Sequence, residues 1–143
     1  MNPREFKTLL KHHEVKCTQF RLKLFRIFLE NRRALNFHEL ERSLYPDGDR
    51  VTLYRALKVF MKIGFIHRVT DLEGNASYAA TLGSAQELLQ GEADQHLHFC
   101  CIKCRQIFCI INPSMPTVSL PETYTVHSLN MTITGVCKAC NDK

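Results

Sequence analysis

The most regular part of the chain is the stretch from residue 49 to residue 63, which reads DRVTLYRALKVFMKI. At about 100° per residue, its apolar side chains fall on one arc of a helix and its tyrosine and basic side chains on the opposite arc. The apolar arc holds Leu53, Ala56, Leu57 and Phe60, and the opposite arc holds Tyr54, Arg55, Lys58 and Lys62. Gly64 follows where a helix end favours glycine. The pattern predicts an amphipathic helix with a basic face.

Helices are predicted before this segment and a β-hairpin after it. The predicted helices are residues 4–13, residues 19–30 with Thr18 as N-cap, and a segment that Asn36 and Glu39 open as a capping box. Two strands, 65–69 and 76–79, flank a turn at 71–75. Helices followed by a hairpin on a basic chain predict a winged helix, in which residues 49–63 are the recognition helix. Arg and Lys on its outer face can neutralise phosphates, and Tyr54 can contact phosphate or a thymine methyl.

Composition divides the chain into two parts. The 143 residues are 45% apolar and 23% charged, as in a soluble globular protein, with no apolar run of membrane-spanning length, so we expect a cytoplasmic protein without a membrane partner. Residues 1–82 hold 15 Lys and Arg against 9 Asp and Glu, whereas residues 83–143 hold 4 against 5. Six of the seven cysteines follow residue 99. We therefore predict an α+β protein with a winged-helix domain over 1–82, a linker or hinge over 83–95 and a metal-binding domain over 96–143.

The second domain is predicted to be mainly strands. Residues 96–100, 106–111 and 124–134 have strand character, and one helical turn is expected at 85–89 in the linker that precedes this domain. The prolines of the segment 112–121 argue against a long helix there.

Two Cys-x-x-Cys pairs carry the strongest chemical signal. Cys101 and Cys104 are separated from Cys137 and Cys140 by 32 residues. Two such turns complete a tetrahedral four-thiolate zinc site, which has no open position and is therefore structural. A redox dithiol, or unrelated surface thiols, is the alternative.

A second cluster, His96 and His98, lies just before the first cysteine pair. Residues two apart on a strand face the same side, so both imidazoles, with Cys100, can meet one ion. Ordinary strand histidines are the alternative. Cys17, beside Thr18, is expected to be a small buried residue. No phosphate loop, Ser–His–Asp order or acidic pair is present, so we predict neither an enzyme nor a small-molecule substrate.

The chain resembles the ferric uptake regulator (Fur) family of metal-dependent repressors over nearly its whole length. The matching motifs are residues 18–21, TQFR; 51–57, VTLYRAL; 64–66, GFI; 96–104, HLHFCCIKC; and 135–140, GVCKAC. The resemblance implies an N-terminal winged helix, a small α/β dimerisation domain and a homodimer on a palindromic double-stranded DNA operator. It also implies that Tyr54 and Arg55 touch DNA with Arg21 nearby, and that the four paired cysteines hold structural Zn²⁺.

The departures from the family pattern concern its regulatory ion. The resemblance implies two histidines on the first strand of the second domain, which His96 and His98 match, and an acid on the next strand, where this chain has Cys109. The positions expected to supply ligands from the N-terminal side are Ala34 and Ala80. A secondary family site is also depleted, with Gln95 and Leu97 among its ligand positions and His127 two residues from the usual histidine.

Three hypotheses follow. In the first, a repressor senses metal through His96, His98 and Cys109, with a fourth ligand from Glu92, Asp94, Glu73 or Cys100, and this soft donor set favours Zn²⁺ over Fe²⁺ or Mn²⁺. In the second, a Fur-like DNA-binding regulator keeps only structural zinc and senses redox state, through Cys100 and Cys109, or another signal. In the third, a zinc-ribbon module uses its basic helices to bind protein or RNA.

Overall fold

The structure is a computed structural model that describes residues 1–71, 73–81, 83–90, 97–110, 119–125 and 131–142. The chain divides into two compact units, Met1–Asp94 and Gln95–Lys143. Each unit holds one three-stranded sheet among the described residues. The α+β fold predicted from the sequence is confirmed.

The first unit is a winged helix. Its elements are α1 (Pro3–His12), α2 (Gln19–Glu30), β1 (Leu35–Asn36), α3 (Phe37–Leu44), α4 (Arg50–Lys62), β2 (Ile66–Thr70), β3 (Ala76–Ala80) and α5 (Ala85–Gln90). The sheet order is β1-β3-β2, with both pairings antiparallel. Ala85 of α5 is buried in the hydrophobic core of this unit, so α5 packs against that core. The role of residues 83–95 as a hinge stays a prediction.

Local signals define the helix ends as predicted. The Thr18 hydroxyl accepts from the Arg21 N–H at 3.3 Å, and Asn36 and Glu39 form the reciprocal capping box. Gly64 has a φ of +74°, and the N–H of Phe65 donates to the carbonyl of Phe60 at 3.0 Å. This left-handed glycine ends α4 and turns the chain into β2.

The core of the first unit is built from aromatic rings. Phe6 stacks on Phe25 with ring centroids 4.1 Å apart, and Phe60 and Phe65 meet at 5.2 Å edge to face. All four rings are fully buried, and burying one such side chain contributes about 1.5–3 kcal/mol. The apolar arc of α4 is buried as predicted, so its opposite face lies in solvent.

The second unit contains β4 (Leu97–Cys101), β5 (Ile107–Ile110), β6 (Thr132–Gly135) and α6 (Lys138–Asn141). The sheet order is β5-β4-β6, with β5 antiparallel and β6 parallel to β4. No described helix in either unit has the length and apolar character to cross a membrane.

Two sequence predictions were wrong. The strand expected over 124–134 is β6 alone among the described residues, because Tyr124 lies in a turn, where its N–H donates to the Pro121 carbonyl at 3.0 Å. Residues 111–118 and 126–130 lie outside the described residues. Cys17 is exposed and not buried, because it precedes the N-cap of α2 in the α1–α2 loop.

Candidate functional site

The β4–β6 pairing brings the two cysteine pairs together. Cys101 ends β4 opposite Gly135 of β6, and the Ile102 N–H donates to the Gly135 carbonyl at 2.9 Å. Two residues after Gly135, Cys137 is the N-cap residue of α6, and its N–H donates to the Cys101 sulfur at 3.4 Å. A parallel register therefore joins two turns that are far apart in sequence.

The four sulfur atoms fit a zinc ion. All lie within 4.8 Å of one another, and the Cys104 and Cys137 Sγ atoms are 3.8 Å apart. Tetrahedral zinc with Zn–S bonds of about 2.3 Å requires sulfur atoms about 3.8 Å apart. Four thiolates leave no open position, so the arrangement suits a structural ion.

Backbone donors favour the thiolate form of the innermost ligand. Hydrogen bonds from the N–H groups of Cys104 and Cys137 lower the pKa of the buried Cys101 thiol to about 6. The pKa of Cys140 is raised to about 12, first by its hydrogen bond with Cys137 and then by burial. A bound divalent cation reverses this rise in the pKa of Cys140, because a thiol that coordinates a metal is deprotonated.

Two of the three predicted regulatory ligands meet on the sheet of the second unit. His98 of β4 pairs with Cys109 of β5, and their ligand atoms lie within 4.8 Å of each other. His98 is 8% exposed, and burial raises the pKa of Cys109 to about 11. His96 lies outside the described residues. The sheet thus supplies a shielded imidazole and a shielded sulfur side by side.

The other candidate ligands are less favourably placed or not described. Ala34 is buried and Ala80 packs against the core of the first unit, and the methyl side chain of each offers no ligand atom. Cys100 is buried, and Glu73 is exposed at the tip of the β2–β3 hairpin. The candidates Glu92 and Asp94 lie outside the described residues, as do Gln95 and His127 of the depleted secondary site.

The predicted DNA-contacting side chains of α4 lie on its exposed face. Tyr54 is 51% exposed, and the Lys58 ammonium lies 4.8 Å from the centre of its ring. Arg55 and Lys62 are exposed on the same face. Arg21 of α2 is half-buried, and its guanidinium donates to the Lys16 carbonyl. The face offers cations and one aromatic ring, which is the chemistry that suits a DNA groove.

Sequence reasoning missed two residues beside the cysteine cluster. Lys103 donates from its ammonium to the Cys140 carbonyl at 3.0 Å. Gly135 lies under the Phe99 ring, where a β-carbon would come within 3.1 Å of that ring. Both lie within motifs that match the family, but no sequence pattern assigned a role to either residue.

The model of the ferric uptake regulator family matches residues 12–134. The chain belongs to the ferric uptake regulator family. Members of the family are metal-responsive, DNA-binding transcription regulators and not enzymes, and they act as dimers.

Curated relatives and solved structures agree with this assignment. The ferric uptake regulation protein of Staphylococcus aureus is 27% identical over 149 residues, which cover 99% of this chain and all of the relative. The peroxide-responsive repressor PerR of S. aureus (strain USA300) is 26% identical and covers 94% of this chain and 88% of its own.

Two solved structures show the same fold at low sequence identity. A zinc uptake regulator complexed with zinc and DNA has a TM-score of 0.67 at 17% identity, covering 97% of this chain and 92% of its own. The Helicobacter pylori ferric uptake regulator has a TM-score of 0.64 at 17% identity, covering 98% and 91%.

Proposed function

We propose that this Fur-family protein is a zinc-responsive repressor that binds a palindromic operator as a homodimer. The observation that carries the proposal is the pairing of His98 with Cys109. Imidazole and thiolate are ligands that suit Zn²⁺, whereas Fe²⁺ and Mn²⁺ sites rely more on carboxylate oxygens. His96, two residues before His98 on the sequence, is the third proposed ligand.

The structural ion of the proposal is zinc held by Cys101, Cys104, Cys137 and Cys140. The spacing of the sulfur atoms supports this role. The ion would hold α6 and the end of β4 together, and it would leave no site for substrate or solvent.

DNA binding is assigned to the exposed face of α4. Arg55, Lys58 and Lys62 would contact phosphates or base edges, Tyr54 would contact bases, and Arg21 would lie at the backbone. The burial of the opposite face supports this orientation, because the core fixes which side chains point outwards.

The regulatory ion acts by changing populations of two states. It favours repression only to the extent that it binds the DNA-competent state more tightly than the other state. The apolar side chains of Ala34 and Ala80 at two expected ligand positions mean that the site depends on fewer ligands than the family pattern implies.

A homodimer is supported by the outer strand of the second sheet. β6 is the last described strand on its side, and Thr132, Ile133 and Thr134 are exposed along it. An exposed strand edge can pair with a second copy. We expect sedimentation to give twice the chain mass of 16.5 kDa, and a mass of one chain would contradict the dimer.

The proposal is tested by DNA binding at buffered concentrations of free metal. A duplex selected by the zinc-loaded protein from a random pool serves as the operator. We expect Zn²⁺ to increase affinity at lower free concentration than Fe²⁺ or Mn²⁺ does. Equal affinity with and without added Zn²⁺, in a protein that retains its cysteine-bound zinc, would overturn the proposal.

A second candidate function is a DNA-binding regulator with structural zinc only. The buried methyl group of Ala34 favours it, because the first unit provides no ligand atom at that position. A redox version fits less well, because Cys100 is buried and the raised pKa of Cys109 leaves little reactive thiolate. Metal-independent, sequence-selective DNA binding would favour this second function.

A further inference from the structure

We propose that Lys103 is a positioning residue that fastens the second cysteine turn to the first and slows release of the structural zinc. The inference rests on the proposed zinc role of the four cysteines. Lys103 lies inside the first turn, between Cys101 and Cys104, and reaches across to the carbonyl of Cys140 at 3.0 Å. It links the two turns without being a ligand.

The carbonyl that Lys103 reaches belongs to the last turn of α6. Helix α6 has four residues, Lys138–Asn141, and the carbonyls at a helix end have no partner within the helix. A cation at a helix C-terminus is also favourable for the helix dipole. Lys103 therefore satisfies an acceptor on the segment that carries Cys140.

Charge gives a second reason for a cation here. Four thiolates around a divalent ion carry a formal double negative charge, and Cys104 is exposed to solvent. An ammonium group beside this cluster stabilises the loaded state, and the stabilisation by charge alone weakens with added salt. The hydrogen bond to the Cys140 carbonyl also constrains the position of the second turn, and added salt weakens this constraint less than it weakens the charge interaction.

Lys138 provides a matched control. It lies in the second turn, between Cys137 and Cys140, and it is exposed. Its side chain makes no hydrogen bond or ion pair with any residue that the structure describes. Lys138→Gln thus removes the same charge from the same kind of turn without removing a link between the turns.

The test measures zinc transfer from the full chain to a chromophoric chelator. Lys103→Gln is expected to release zinc about three- to ten-fold faster than the unsubstituted chain, the effect of losing one charge-assisted hydrogen bond. Both lysines are exposed, but Lys138 makes no hydrogen bond to a described residue, so Lys138→Gln is expected to change the rate by about two-fold or less. Lys103→Arg, which keeps a donor and a charge, is expected to restore most of the slow release.

Measurements at high ionic strength and of amide exchange distinguish the loss of the Lys103–Cys140 hydrogen bond from the loss of one positive charge. The difference between Lys103→Gln and Lys138→Gln should persist in high salt, and amides of residues 138–142 should exchange faster in Lys103→Gln alone. Equal release rates for the two variants would overturn the role of Lys103 while leaving the zinc site intact. A chain that binds no zinc at all would overturn both the zinc role and this inference.

Discussion

His98 and Cys109 lie directly opposite each other on antiparallel strands, β4 and β5, with their ligand atoms within 4.8 Å. Opposite residues of an antiparallel pair face the same side of the sheet, so both side chains can reach one ion. The pair is therefore the strongest structural reason to expect a second metal ion.

The first prediction concerns the DNA face. Lys58→Gln should weaken binding about equally for all DNA sequences, and it should reduce the slope of log affinity against log salt concentration by about one, as the loss of one phosphate contact does. Tyr54→Ala should relax the preference for particular bases. Binding isotherms over a range of salt concentrations measure both effects. Lys7→Gln, an exposed change of the same charge on α1, is the control. An unchanged salt slope for Lys58→Gln would remove this residue from the interface.

The second prediction concerns loss of the structural zinc. Cys137→Ser should lower zinc content by about one ion and expose the amides of β4 and β6 to exchange, because four ligands are needed to close the site. The amides of α2 and α4 should keep their protection, since their core is made of first-unit side chains. Cys17→Ser, which alters an exposed lone cysteine, should change neither. Equal protection of β4 and β6 with and without zinc would contradict the structural role.

The third prediction is a pH dependence at the start of α4. The Asp49 carboxylate accepts from the Thr52 N–H at 2.7 Å, and this bond lowers the pKa of Asp49 below its ordinary 3.8. A lowered pKa means that the unfolded chain takes up the proton first as pH falls. The contribution to the free energy of unfolding is therefore full above about pH 5 and is lost as pH falls through the lowered value.

Denaturant unfolding at a series of acidic pH values measures this contribution. Asp49→Asn keeps a capping side chain and removes the carboxyl, so its stability should depend less on pH in this window than that of the unsubstituted chain. Identical pH profiles for the two proteins would show that the capping carboxylate does not contribute.

Features that depend on neighbouring residues were predictable from the sequence. The caps at Thr18 and Asn36 and the glycine after α4 act within a few residues, and all three form as expected. The two cysteine pairs also carry their chemistry locally, since each turn positions two sulfur atoms by itself. The burial of one arc of α4 followed from its periodicity alone.

Features that depend on long-range pairing were not predictable. The extent of β6 is set by its parallel register with β4, which Cys101 and Gly135 share across more than thirty intervening residues. A β-branched run over 124–134 gives no information on where that pairing begins. The Lys103–Cys140 contact likewise joins residues 37 apart in sequence, and no local rule predicts it.

The pairing of His98 with Cys109 lies between these cases. The motif HLHFCC placed two histidines on a strand, but only family resemblance selected Cys109, and the register of β4 and β5 then brought it opposite His98. The absence of a ligand atom at Ala34 could be read from the sequence only because the family pattern expects one there.

The central claim is that His98 and Cys109 bind a second, regulatory zinc. The most direct measurement is zinc per chain by elemental analysis, for the unsubstituted protein and for His98→Ala/Cys109→Ser, each assayed in parallel for zinc-dependent DNA binding. We predict about two zinc ions in the unsubstituted protein and about one in the variant, with loss of the zinc response but not of the cysteine-bound ion. One zinc per chain in both proteins, with the same DNA binding, would contradict it.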